Sequence, residues 1–271
     1  MKIFNSIKSF NATKPTIVTI GTFDGVHFGH QKIVAQITKN AAALNCESLV
    51  LTFFPHPRMV LQESTEMKQL NTLNEKIALL DNLGIDNLVV HPFDKEFSRL
   101  TAEEFVKKVL VDVFKIKKII IGHDHRFGRN RTATIDDLMN FGKTYGFEVE
   151  QISAEEINEV SISSTKIRNA LLEGNIELAA NYLGYDYSLT GIIFKGKQLG
   201  RTIGYPTANI TIEEDYKLIP NNGVYIAKSV LNGKTVFGMM NIGTRPTVDG
   251  TKQTIEINFF DFKQACRHFQ Q

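Results

Sequence analysis

The sequence predicts an α/β, doubly wound, Rossmann-like domain followed by a smaller, mostly β, barrel-like domain. Three observations predict it. Between residues 15 and 160, short apolar runs alternate with segments of helical spacing, as strands and helices do in a layered α/β fold. Several of those runs are continuously apolar, as parallel strands covered on both faces are. From Tyr187 onward short alternating segments with turn signals take over. The boundary falls near Gly184, giving domains 1–184 and 185–271.

Strands are predicted at 17–20, 48–54, 87–91, 118–121 and 148–152, and helices at 30–44, 72–82, 101–114 and 134–145. In such a layer, ligands bind beyond the carboxyl ends of the strands. The first strand runs into Gly21-Thr-Phe-Asp-Gly-Val-His-Phe-Gly-His30, and a helix follows it with Ile33, Ile37 and Ala41 on one face. The glycines let the backbone approach a ligand closely. A helix head with unpaired N–H groups suits a phosphate. His27 and His30 are three residues apart and can converge on one polyanion. Two imidazoles, a helix N-terminus and no nucleophile point to charge stabilisation in phosphoryl or nucleotidyl transfer rather than covalent catalysis. Glycines after a strand are common in α/β proteins, so the weight rests on the paired histidines with Asp24 before them.

Two more strand exits and one helix start carry chemistry. Thr52-Phe-Phe-Pro-His-Pro57 predicts a stiff, extended exit. There His56 either lines the crevice or is a polar residue of a rigid loop. At 119–131, His123 and His125 flank Asp124 without an evident third ligand, which argues against a metal. Arg126, Arg129 and Arg131 can hold a phosphate, stack on a ring, or lie solvated. At 162–168, Ser163 is an N-cap candidate for a helix through Leu172. Ser164 and Thr165 place hydroxyls and N–H groups at its head, and Thr165 and Arg168 share a face. This reads as a second anion site.

In the second half, Asn232-Gly233 marks a type I′ hairpin. Gly233-Lys234-Thr235 is no P-loop, because position 228 is Lys where a glycine is required. The glycine-rich loop 196–205 runs into Thr207-Ala-Asn209; in extended chain Thr207 and Asn209 point the same way, as neutral oxygen ligands suited to Mg²⁺. The segment 254–259 alternates and sets Glu256 and Asn258 opposite Ile255, Ile257 and Phe259. Beside Mg·ATP, Glu256 can act as general base for a hydroxyl; read alone, it is a solvent-facing strand residue.

Composition excludes several classes. Of 271 residues 42% are hydrophobic, enough for a sizeable core, and the net charge of +2 gives no field argument for nucleic acid or an anionic membrane. No apolar run reaches spanning length and no secretory signal pattern opens the chain. Cys46 and Cys266 form no disulfide framework, so a reduced, cytoplasmic setting is expected.

The His-Phe-Gly-His motif resembles the nucleotidyltransferases that carry His-x-Gly-His, in which the histidines contact ATP phosphates as pyrophosphate leaves. Further motifs narrow this: Thr-Phe-Phe-Pro-His-Pro, Gly-x-Asp-x-Arg-Phe-Gly at 122–128, Ile-Ser-Ser-Thr-Lys-Ile-Arg, Gly-Arg-Thr-Ile-Gly-Tyr-Pro-Thr-Ala-Asn, Asn-Gly-Val-Tyr and Asn-Ile-Gly-Thr-Arg-Pro-Thr247. Together, over nearly the whole chain, they resemble the bacterial bifunctional riboflavin kinase/FMN adenylyltransferase family, the FAD synthetases. The resemblance implies FAD biosynthesis: riboflavin is phosphorylated to FMN, and FMN is adenylylated to FAD, each with Mg·ATP.

The resemblance also implies roles. His27 and His30 are catalytic contacts to ATP phosphates. The surrounding phosphate-binding set is Gly21, Phe23, Asp24, Gly29, Ser163, Ser164, Thr165 and Arg168, joined in the second domain by Gly200 and Arg201. Asp124, Phe127 and Arg131 lie toward the flavin. Thr207 and Asn209 hold Mg²⁺, and Glu256 is the kinase base. Partners are then the small molecules ATP, riboflavin and FMN, with no nucleic acid and no membrane. His125 stands where the family has an aromatic residue, and Tyr185-Asp186 replaces the usual Arg-Pro. The ending 263–271 departs from the family pattern, so an incomplete kinase domain is expected, less stable than the first and weak in phosphorylating riboflavin. Two alternatives stay open: a non-catalytic flavin- or nucleotide-binding remnant, and a nucleotidyltransferase for another phosphate acceptor, such as a phosphopantetheine or nicotinamide mononucleotide.

Overall fold

The computed structural model describes residues 1–61, 67–122, 126–129, 132–153, 162–194, 206–231, 233–247 and 250–260. The chain divides into two compact units, Met1–Ser164 with Tyr182–Gly184, and Thr165–Asn181 with Tyr185–Gln271.

The first unit is built on a six-stranded, all-parallel sheet. Its strands are β1 (Lys2–Phe4), β2 (Thr16–Ile20), β3 (Glu47–Phe53), β4 (Asn87–His91), β5 (Ile116–Gly122) and β6 (Glu148–Ile152), in the order β1-β4-β3-β2-β5-β6. The apolar runs are continuous because both faces are covered. On β2, Val18 and Ile20 belong to one core cluster and Ile17 to the other; Leu49 and Leu51 against Val50 on β3, and Ile119 and Ile121 against Ile120 on β5, alternate in the same way. The order reverses at β2: the chain first builds outward through β3 and β4, then returns to add β5 on the other side. The topological switch point, where such sheets bind ligands, therefore lies at the carboxyl ends of β2 and β5.

The helices are α1 (Phe28–Leu44), α2 (Pro57–Leu61), α3 (Leu73–Asn82), α4 (Ala102–Phe105), α5 (Ile135–Tyr145), α6 (Ser164–Leu172) and α7 (Ile176–Leu183). Ile33, Val34, Ile37 and Ala41 bury one face of α1, and Asn45 in left-handed conformation ends it. Helix α3 starts on a complete capping box, the Thr72 side chain taking the Glu75 N–H while Glu75 takes that of Thr72.

Three features differ from the sequence expectation. The helix expected over 101–114 is α4 followed by a π-helical stretch, Val106–Val111. Pro57 does not extend the exit from β3 but heads α2, where its missing N–H costs nothing. Strand β1 is too short to show a period and exists through its pairing with β4.

In the second unit β7 (Ile192–Phe194), β8 (Ala208–Thr211), β9 (Gly223–Leu231), β10 (Lys234–Thr247) and β11 (Gly250–Phe259) form an antiparallel sheet in the order β7-β8-β11-β10-β9. Leu231 pairs with Lys234, so the β9–β10 hairpin has the expected two-residue loop, with Gly233 at φ 74. Asn232 lies outside the described residues. Burial alternates: Leu231, Gly238, Ile242, Ile255 and Ile257 turn inward, while Val224, Ile226, Phe237, Met239 and Asn241 turn out. Within this unit the Asn221 N–H donates to Leu171 O at the end of α6, Tyr187 Oη donates to Leu218 O, and Lys217 Nζ lies 4.4 Å above the Tyr187 ring. Asp186, in the departing linker pair, makes a 2.9 Å surface ion pair with Lys228.

Candidate active sites

The loop after β2 is a tight, strained turn. Gly21 N–H bonds to Leu51 O and carries the chain off the sheet. Phe23, Gly25 and Val26 then take φ of 48°, 87° and 35°. At Gly25 a Cβ would sit 2.6 Å from Leu70 Cδ1, so glycine is required there for both conformation and space. Positive φ at Phe23 and Val26 persists only because the surroundings fix it. Both side chains are 1% exposed and belong to the core. Asp24, equally buried, accepts the Leu70 N–H at 2.8 Å through Oδ1, and its carbonyl accepts from Ser164 Oγ at 2.9 Å. Thr22 O accepts from Lys76 Nζ at 2.8 Å and Thr52 Oγ1 at 3.2 Å.

This turn delivers two histidines to the head of α1. The first intrahelical bond runs from Gln31 N–H to His27 O, so the N–H groups of Phe28, Gly29 and His30 have no acceptor within the helix, and the His27 side chain does not cap them. The His27 and His30 rings stack at 3.7 Å with 20° between planes, and Phe23 flanks His30 at 4.9 Å. His30 Nδ1 is buried with no hydrogen-bond partner among the described residues. Burial first, then His27 and Lys76, hold the His30 pKa well below its usual 6.5. Gln31 Nε2 locks the start of the helix by donating to Val26 O at 2.9 Å and Leu183 O at 2.8 Å. An open helix head, a His30 imidazole whose protonation is disfavoured chiefly by burial, and its orphaned ring nitrogen suit an anion, which would supply hydrogen bonds on arrival.

The structure thus brings together Gly21, Phe23, Asp24, His27, Gly29, His30 and Ser164. Ser163 immediately precedes α6; Thr165, exposed, and Arg168, half-buried, follow in it and belong to the second unit. His56 is buried at the head of α2, where its Nδ1 takes the Arg58 N–H at 3.1 Å. Phe127 is 7% exposed and lies in the core 6.3 Å from Phe105, its backbone paired with Ala133. His123, Asp124, His125 and Arg131 lie outside the described residues, as do Gly200 and Arg201 of the second loop.

Sequence reasoning missed Lys76, a lysine 1% exposed behind the strained turn. The signal was present: Leu73, Ile77 and Leu80 mark the apolar face of α3, and Lys76 falls inside that stripe.

The second site sits on the outward face of the second sheet. Glu256 on β11 pairs directly with Asn209 on β8, between the inward Ile255–Ile210 and Ile257–Ala208 pairs. Thr207 Oγ1 lies 3.5 Å from Glu256 Oε2, and Asn258 Nδ2 donates to Pro206 O at 2.8 Å. Across the ladder Glu256 faces Asn241, beyond which lies Val224. The exposed Ile226, Phe237 and Met239 share this face. A carboxylate and two neutral side-chain oxygens thus stand beside exposed apolar surface, and an all-oxygen set suits a hard cation such as Mg²⁺. Among the described residues no group of three His, Cys, Asp or Glu is placed to hold a metal by itself.

The chain matches the FAD synthetase family over residues 9–166 and the riboflavin kinase family over residues 183–269. It belongs to the bifunctional riboflavin kinase/FMN adenylyltransferase family. A member of this family from Buchnera aphidicola subsp. Schizaphis graminum is 38% identical over 262 residues, covering 95% of this chain and 83% of the relative. The Escherichia coli K12 member is 34% identical, covering 100% of this chain and 87% of the relative. The fold also matches the crystal structure of a macrolide-efflux protein from Streptococcus pneumoniae, with TM-score 0.88 and 30% identity, over 97% of this chain and 86% of that one. No helix among the described residues is long and apolar enough to cross a membrane. The expectation about the chain's ending falls on residues 263–271, which lie outside the described ones, and the riboflavin kinase match runs to residue 269.

Proposed function

We propose that this chain makes FAD in two steps at two separate sites, with ATP, riboflavin and FMN as its small-molecule partners. The adenylyltransferase domain spans 1–184 and the kinase domain 185–271. The observation that carries the reading is the stacked pair of buried His27 and half-buried His30 on the open head of α1, beyond the carboxyl end of β2 at the switch point of the sheet. At this site an FMN phosphate oxygen attacks the α-phosphorus of ATP, the bond to the β-phosphate oxygen breaks, and pyrophosphate leaves. The protein supplies no nucleophile. His27, His30 and the N–H groups of the α1 head, with Gly21, Gly29, Ser163, Ser164, Thr165 and Arg168 as further phosphate contacts, stabilise the charge that develops on the leaving oxygens. Phe23 and Asp24 hold the loop's shape. The flavin falls to Asp124 and Arg131, with Phe127 anchoring their loop from the core.

At the second site Glu256 takes the proton from riboflavin's terminal ribityl hydroxyl as that oxygen attacks the γ-phosphorus and ADP leaves. Thr207 and Asn209 would hold Mg²⁺, with Gly200 and Arg201 at the phosphates. The cation, when bound, neutralises phosphate charge. Ile226, Phe237 and Met239 offer apolar surface for the flavin ring beside Glu256. The test is direct: incubate the chain with Mg·ATP and either riboflavin or FMN, and separate the flavins by chromatography. Riboflavin should give FMN and then FAD, and FMN should give FAD with one pyrophosphate each. Absence of FAD and of pyrophosphate from FMN would overturn the reading.

A further inference from the structure

Among the described residues, Lys76 is the most deeply buried cation: it is 1% exposed. It projects from the first turn of α3, where its own N–H bonds to Thr72 O within the Thr72–Glu75 capping box. Its ammonium donates to Thr22 O at 2.8 Å, and the buried Asp24 carboxylate is its countercharge. A buried ammonium is expensive, and an apolar side chain of similar length would fill the stripe between Leu73, Ile77 and Leu80 without that cost. The charge therefore has a task that packing does not explain.

We propose that Lys76 is a positioning residue for adenylyl transfer: its ammonium fixes the strained Thr22–Val26 turn from behind and keeps the His27–His30 pair set for the polyphosphate. The proposal rests on the adenylyltransferase reading of this loop. Two observations converge on it. The turn carries positive φ at Phe23 and Val26, and one of the bonds fixing it comes from Lys76. Among the described residues, the charged or titratable groups that face His30 are His27 at its own helix head and Lys76 on α3; Asp24 lies on the turn as the counterion of Lys76. Together with burial, a fixed cation there disfavours imidazolium at His30 in the free protein, so that ring stays neutral until an anion arrives. In the transition state the same cation, already desolvated and held, adds to the field on the departing pyrophosphate.

The test compares wild type with Lys76→Met, which removes donor and charge, and Lys76→Gln, which keeps a donor but loses the charge. Three quantities are read: the kinetics of FAD formation from FMN and Mg·ATP, the titration of His30 by NMR without ligand, and thermal melting. In both variants kcat should fall about 10- to 100-fold while KM for ATP moves less than about threefold, as loss of a transition-state contribution does. His30 should titrate closer to its ordinary value, and Lys76→Arg should recover part of kcat. A folded variant with wild-type kcat and unchanged His30 titration would overturn the proposal. If Lys76→Met does not fold, Lys76→Gln carries the comparison. If the wild type itself makes no FAD, the adenylyltransferase reading fails, and the His30 titration still reports whether Lys76 controls the loop.

Discussion

The two candidate sites hold their polar groups by opposite means. In the first unit the histidines depend on a backbone forced into positive φ at three positions and fixed from behind by Leu70, Lys76, Thr52 and Ser164. In the second, Asn209 and Glu256 are placed by strand register, two neighbouring strands pairing so that their outward residues coincide, and Thr207 stands just ahead of β8. A loop site can bury its groups and shift their protonation. A strand-face site leaves them exposed or half-exposed and relies on substrate and cation to complete the geometry. Substitutions should therefore damage the first site through its supports as well as its contacts, and the second only through its contacts.

The largest contrast comes from the reacting groups. Glu256→Gln should lower FMN formation from riboflavin by about 10²- to 10⁴-fold, the usual worth of a general base, with FAD formation from FMN unchanged. His30→Ala should do the reverse, lowering FAD formation by about 10²- to 10³-fold with FMN formation unchanged. Both follow from chromatography of the flavins over time. Next come the supports. Gly25→Ala meets both a φ of 87° and Leu70 Cδ1 at 2.6 Å. It should destabilise the first unit by about 1–3 kcal/mol in thermal melting. The equivalent change at the second site, Asn209→Ala on an ordinary strand, should leave melting nearly unchanged while weakening Mg·ATP use.

Acid should separate the units as well. His30 is neutral when folded and has a pKa below 6.5, so the unfolded chain binds the extra proton. The stability it contributes is intact above about pH 6.5 and is lost as pH falls from there toward the folded pKa. His91, lowered chiefly by burial, adds in the same direction. Melting followed from pH 7.5 to 5.5 should show the first unit losing stability. The smallest effect should be at the linker: Asp186→Ala breaks an exposed ion pair and should cost less than about 1 kcal/mol.

Much of this was legible in the sequence because period and burial are local signals. The strands at 87–91 and 148–152 fall where the alternation of apolar runs places them. The outward turn of Glu256 follows the two-residue period that sets Ile255 and Ile257 inward, whereas its pairing with Asn209 appears only in the fold. The supports of the histidine loop were not legible, since they join residues far apart in the chain: Ser164 to Asp24, Leu70 to Asp24, Lys76 to Thr22. Only Lys76 left a trace, as a charge inside an apolar stripe. Pro57 misled because proline fits the start of a helix as well as an extended exit, and only the chain that follows decides between them.

Division of the chemistry between two independent sites, one on the loop after β2 and one on the β8–β11 face, can be read by giving riboflavin and Mg·ATP to His30→Ala and Glu256→Gln side by side and following riboflavin, FMN and FAD. His30→Ala should accumulate FMN without FAD. Glu256→Gln should leave riboflavin unconverted yet turn added FMN into FAD at the wild-type rate. Loss of both steps in either folded variant, or of neither in both, would contradict the account.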